Sequence, residues 1–132
     1  MVTVVLMLTT ASASAAWSIG VDAGGSAQTA SAAGPSPPTG VTATCTSSLA
    51  QTVEVSWTAS ARTTGYAVYY SVTGPGGTYL LMANPAAAPY TTAVLTTGLT
   101  YYFEVVAESG SAWKSADSSA AGPRTIGLGT CS

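Results

Sequence analysis

With 132 residues, the chain has room for one compact domain of about 90–100 residues and a tail. Three basic and five acidic residues make up only 6% of it, and the net charge of −2 leaves no basic footprint for nucleic acid. Disorder is excluded as the reason for the low charge, because 47% of the residues are hydrophobic and seven are tyrosine. The surface must then be clothed in Ser and Thr hydroxyls. So few charges give little electrostatic protection against self-association, which suits a protein that assembles, is glycosylated or sits in a crowded extracellular layer.

Met1 to Leu8 are apolar and lead into a run in which Ala11-Ser12-Ala13 and Ala13-Ser14-Ala15 fit the small-x-small pattern of signal peptidase sites. No Lys or Arg precedes them, since the first charge is Asp22, so the positive n-region of a signal peptide is missing. Two readings of residues 1–16 stand. They are the remnant of a signal peptide, or a retained assembly segment acting through Val2, Val4, Val5, Leu6 and Leu8, with Trp17 just beyond. As a helix they rise about 24 Å, short of a bilayer of about 30 Å; as a strand, the Val/Thr-rich start suits β-pairing. Trp17 is either a membrane-interface anchor or an intersubunit plug. Residues 17–36 are rich in Gly, Ala and Ser and run into Pro35, Pro37 and Pro38, which reads as a flexible linker stiffened at its end. The proline cluster marks the start of a domain over 37–132.

Beyond Pro38 the hydrophobic period is two, with turn residues between the runs. Strands are predicted over 41–46, 52–58, 65–71, 78–82, 90–95, 100–107 and 124–128. The second alternates cleanly, with Val53, Val55 and Trp57 on one side and Glu54 and Ser56 on the other. The third sets Tyr66, Val68 and Tyr70 on one face. Gly74-Pro75-Gly76-Gly77 reads as turn chemistry, not as a phosphate-binding loop. Seven short strands with turns every 8–12 residues indicate a β-sandwich.

At these residues the chain resembles the fibronectin type III family. Pro37-Pro38 through Val41 is similar to its proline-led first strand, Val53-x-Val55-x-Trp57 to its second, and Tyr66-x-Val68-x-Tyr70 to its third. The run from Leu95 through Gly98 and Tyr101 to Phe103, Val105 and Ala107 resembles its Leu-x-Pro-Gly-Thr-x-Tyr motif, with Thr97 where Pro is usual and Leu99 where Thr is usual. The resemblance implies an all-β, seven-stranded, immunoglobulin-like antiparallel sandwich with an apolar N-terminal extension. It makes Tyr101 the corner tyrosine, bonded back to the chain near residues 95–98. No Arg-Gly-Asp tripeptide is present, so integrin binding does not carry over.

Two cysteines, Cys45 and Cys131, suggest one disulfide in an oxidising compartment, against the alternative of two unrelated buried thiols. In seven alternating strands the first and last run in the same direction. Cys45 closes the first and Cys131 follows the last, so both reach one pole, where a bridge would tie the terminal strands of opposite sheets.

The chain has no histidine, which removes the commonest general base and metal ligand. Glu54 and Glu104 point outward from different sheets and form no dyad, and Glu108, Lys114 and Asp117 read as a solvated loop trio. No catalytic residue, metal site or cofactor is expected. A candidate interaction face is Tyr69, Tyr102 and Val106, outward on neighbouring strands and extended by Tyr79 and Met82, with Trp113 in the loop before the last strand. The expected partners are further copies of the chain, another surface protein or a glycan, with membrane contact only through the N-terminal segment. The expectation is a non-enzymatic, extracellular or cell-surface subunit of a pilus, fibre or surface layer. The alternative is a secreted monomeric protein- or carbohydrate-binding module whose N-terminal segment is cleaved.

Overall fold

The computed structural model describes residues 4–11, 14–21, 28–31 and 33–132; for the first three ranges it gives the strand path and register. The chain divides into two compact units, Met1–Gly34 and Pro35–Ser132. In the first, β1 (Val4–Ala11), β2 (Ser14–Val21) and β3 (Gln28–Ser31) form an antiparallel sheet in that order. The register sets Val4 opposite Val21, Leu6 opposite Ile19 and Leu8 opposite Trp17. Val5 lies on β1 as well, whereas Val2 lies outside the described residues. Part of the range read as a linker is therefore paired: residues 17–21 lie on β2 against the Val/Thr-rich β1, and Gln28–Ser31 pair in turn with residues 16–19 of β2.

The second unit is the sandwich. β4 (Thr39–Cys45), β5 (Val53–Thr58) and β8 (Tyr90–Thr91) make one sheet in the order β4-β5-β8. β6 (Gly65–Ser71), β7 (Leu80–Ala83), β9 (Thr100–Ser109), β11 (Ala121–Gly127) and β12 (Thr130–Cys131) make the other, in the order β12-β11-β9-β6-β7, with β10 (Trp113–Lys114) alongside β9. No helix occurs among the described residues. The period-two runs become the core: Val53, Val55 and Trp57 meet Tyr66, Val68, Phe103 and Val105 between the sheets. Burying each such side chain contributes about 1.5–3 kcal/mol. Trp57 packs edge-on against Tyr66 with ring centroids 5.1 Å apart.

The short β10 and β12 add to the seven expected strands, and two of the seven differ from expectation by three residues or more at one end, each for a local reason. β8 ends at Thr91, because the next residue substitutes its side chain for the ladder. The hydroxyl of Thr92 accepts the Val53 N–H at 3.0 Å while the Thr92 N–H donates to the Val53 carbonyl at 2.9 Å. β11 begins at Ala121, ahead of the expected residue 124, and its register against β9 shifts between Ala121 and Arg124. Gly122 sits there at φ +125°, and a Cβ on it would lie 2.8 Å from the Tyr101 carbonyl oxygen. This glycine bulge hides the strand's period from the sequence.

The two sheets are joined at the β4 edge. Cys45 and Cys131 form a disulfide with Cα atoms 5.7 Å apart. On the same seam, Arg124 Nε donates to the Ala43 carbonyl at 2.6 Å. The pairing expected from strand direction is therefore present, with β12 carrying Cys131.

Candidate interaction face

Alternation along β6 and β9 turns Tyr66, Val68, Phe103 and Val105 into the core, and so turns Tyr69, Tyr102 and Glu104 outward. The register sets Tyr69 opposite Glu104 and Ser71 opposite Tyr102, which brings both tyrosines and the carboxylate onto one patch of the larger sheet. All three are half-buried. Tyr79, just before β7, joins them. Its hydroxyl donates to the Pro75 carbonyl at 3.1 Å and is hydrogen-bonded to Glu104. Burial, the Glu104 charge and that bond push the Tyr79 phenol up to about 12. Burial raises Glu104 above the usual carboxylate value as well, helped by the nearby Asp117 charge and opposed by the Tyr79 hydroxyl.

Val106 does not belong to the exposed patch. It is 4% exposed, and its cross-strand partner Ala67 is 0% exposed. Lys114 lies on β10 opposite Glu108. Its Nζ stands 2.8 Å from Glu108 Oε1 and is also hydrogen-bonded to Tyr69, which holds the ammonium above its ordinary pKa. Lys114 and Glu108 are thus an ion pair and not members of a loose trio, while Asp117 faces Glu104.

Trp113 is separated from this patch. It pairs with Ser109, one position along from the Lys114–Glu108 pair, so alternation directs it to the other side. Met82 likewise packs against the core and not on the tyrosine face. Together with Tyr70, Leu81, Tyr90, Val94 and Tyr101, it lines an open groove of about 340 Å³ between the β7 edge and residues 93–96. Glu54 lies on β5, in the opposite sheet from Glu104. The sequence sets Glu104 outward beside Tyr69 and Tyr102 but gives it no part in binding, and it reads Lys114 as part of a solvated loop. The available signal was an outward carboxylate flanked by tyrosines on adjacent predicted strands.

Among solved structures, the chain is similar to an Fn3-like protein from Clostridium thermocellum at 31% identity and a TM-score of 0.60, over 67% of this chain and 91% of that one. The chain belongs to the fibronectin type III family. A structure of titin kinase and its flanking domains is similar at 27% identity and a TM-score of 0.60, over 70% of this chain and 17% of that one. The titin domains A168–A170 share the fold at 23% identity, a TM-score of 0.59, and 86% and 40% coverage. No protein-family model and no curated protein matches the chain. In the fibronectin type III frame Tyr101 is the corner tyrosine, its hydroxyl accepting the Thr96 N–H at 3.1 Å. The turn that departs from the family motif at Thr97 and Leu99 keeps its glycine, with Gly98 at φ +84° and its N–H donating to the Ile126 carbonyl at 2.7 Å.

Proposed function

We propose that the protein is a non-enzymatic extracellular structural subunit, and that its N-terminal unit joins it to further copies of itself in a fibre, pilus or surface layer. The observation that carries this reading is the self-sufficiency of the sandwich. Its buried core from Ala43 to Cys131, its disulfide and its tyrosine corner all fall within Pro35–Ser132. Residues 1–34 form the other unit. They contain one charged residue, Asp22, and β1 and β3 end their sheet. Strand edges present backbone N–H and C=O groups to another chain. The fibronectin type III fold and the disulfide are consistent with an extracellular location. Glu54 and Glu104 lie on different sheets, which supports a non-catalytic role.

Electron microscopy of the purified native protein tests the reading. Filaments or ordered arrays are expected, and dispersed single particles at high concentration would contradict it. The second reading, a secreted monomeric binding module, is favoured by the tyrosine–carboxylate face. It predicts a mature N-terminus near Ala15–Trp17, which mass spectrometry detects directly.

A further inference from the structure

We propose that the outer face of the β6–β9 sheet, built on Tyr69, Tyr102 and Glu104, is a binding site for a neutral carbohydrate. The site rests on the sandwich alone and does not depend on what the N-terminal unit does.

The argument begins with what strand alternation places together. Tyr69 stands directly opposite Glu104, and Tyr102 lies two residues from Glu104 on the same strand. The two tyrosines are thus diagonal neighbours, about 7–8 Å apart at their backbones, with the carboxylate beside both. Each ring is half-buried, so it is held by the sheet and still presents surface. Partly exposed tyrosines offer large, rigid contact area at low entropic cost, because only two side-chain torsions must be fixed. Sugar rings carry apolar C–H faces and a rim of hydroxyls, so they require aromatic surface and hydrogen-bonding groups at the same place.

The polar groups supply the second requirement. An ionised carboxylate has about four lone-pair sites. The Tyr79 hydroxyl bonds to Glu104 and is shared with the Pro75 carbonyl, so most of the acceptor capacity of Glu104 is left for donors from outside. Asp117, exposed and close enough to Glu104 to raise its pKa, adds a second acceptor. Both charges favour hydroxyl donors. Lys114, fixed by Glu108 and Tyr69, borders the same patch as a donor.

Charge then selects among ligands. Glu108 and Lys114 neutralise one another, whereas Glu104 and Asp117 leave the patch acidic. An anionic polymer would be repelled and would leave those carboxylates unsatisfied. An apolar side chain laid on the patch would desolvate Glu104 without offering it a donor. A neutral saccharide meets the acceptors with hydroxyls and covers the rings with C–H groups.

Affinity electrophoresis of the full chain tests this, with soluble glucan, mannan, xylan and the acidic polymer polygalacturonate each cast in the gel. The expected result is retardation by at least one neutral polymer and none by polygalacturonate. Tyr102→Ala should weaken the retarding interaction at least tenfold, and Glu104→Gln severalfold, while circular dichroism shows both variants folded. Leu128→Ala, on an exposed side chain at the far turn, should bind as the parent does. Absence of retardation by all three neutral polymers overturns the proposal, as does undiminished binding by folded Tyr102→Ala. If Tyr102→Ala instead abolishes self-association measured in solution without polysaccharide, the face belongs to a protein partner and the proposal is wrong.

Discussion

The hydroxyl of Tyr101 accepts the backbone N–H of Thr96 at 3.1 Å, anchoring the chain that crosses from one sheet to the other to the strand it is about to enter. The ring itself is buried and stacks on Phe103 at 6.2 Å between centroids. Tyr101→Phe keeps the ring and deletes only the acceptor. It should cost about 0.5–1.5 kcal/mol, the net value of one such bond. Urea unfolding should show a lower midpoint with an unchanged slope.

Phe103 lies at the centre of the core with no solvent exposure. Truncation there leaves a void between two sheets that are joined by a disulfide and cannot fully collapse. Phe103→Ala should therefore destabilise by about 3–5 kcal/mol. Thermal melts of the pair Phe103→Ala and Leu128→Ala separate packing from hydrophobicity as such. The second change, on an exposed leucine, should stay within about 0.5 kcal/mol of the parent.

The disulfide closes a sequence separation of 86 residues. In the chain-entropy account such a loop contributes about 4.5 kcal/mol by restricting the unfolded chain. Replacing both cysteines with serine should remove stability of that order. The cross-sheet bond from Arg124 to Ala43 remains and keeps the sheets in register. Denaturant midpoints of the parent with and without reductant, beside the double variant, check the value.

Ionisation at the tyrosine face makes stability depend on pH in a defined direction. Glu104 titrates above its ordinary 4.5 in the folded protein, so the fold favours its protonated form. That contribution is fully present below pH 4.5 and is lost as pH rises through the raised value. Glu104→Gln, locked neutral, should be more stable than the parent at neutral pH, and the advantage should vanish below pH 4.5. The Tyr79 phenol, pushed from 10.0 to about 12, behaves alike at the alkaline end: its contribution holds below pH 10 and is lost through about pH 12. Ultraviolet titration should show a Tyr79 component ionising near 12. Tyr79→Phe should abolish that component, and Glu104→Gln should lower it by removing the adjacent charge.

Much of the sandwich is legible in the sequence because its strands obey one local rule. Val53, Val55 and Trp57 alternate against a neighbouring sheet that alternates in the same way, so the core can be read residue by residue. The rule fails where a side chain replaces the backbone or a bulge breaks the period, as at Thr92 and Gly122. The face is harder to read, since exposure depends on what covers a strand and not on the strand itself. Val106 alternates outward as expected and is nevertheless buried, while the Lys114–Glu108 pair is set by the short β10 strand. Trp113 lies next to Lys114 in sequence and on the other side of the sheet in space, a separation set by the short β10 pairing that no periodicity announces.

The division between a self-sufficient sandwich and an N-terminal unit that serves association is tested most directly by sedimentation. Analytical ultracentrifugation of the full chain and of Pro35–Ser132, across a range of concentrations, compares the two. The shorter chain should be folded and monomeric throughout, while the full chain should form larger species whose share grows with concentration. Equal association of the two, or a full chain that stays monomeric at the highest concentration, would contradict the role given to residues 1–34.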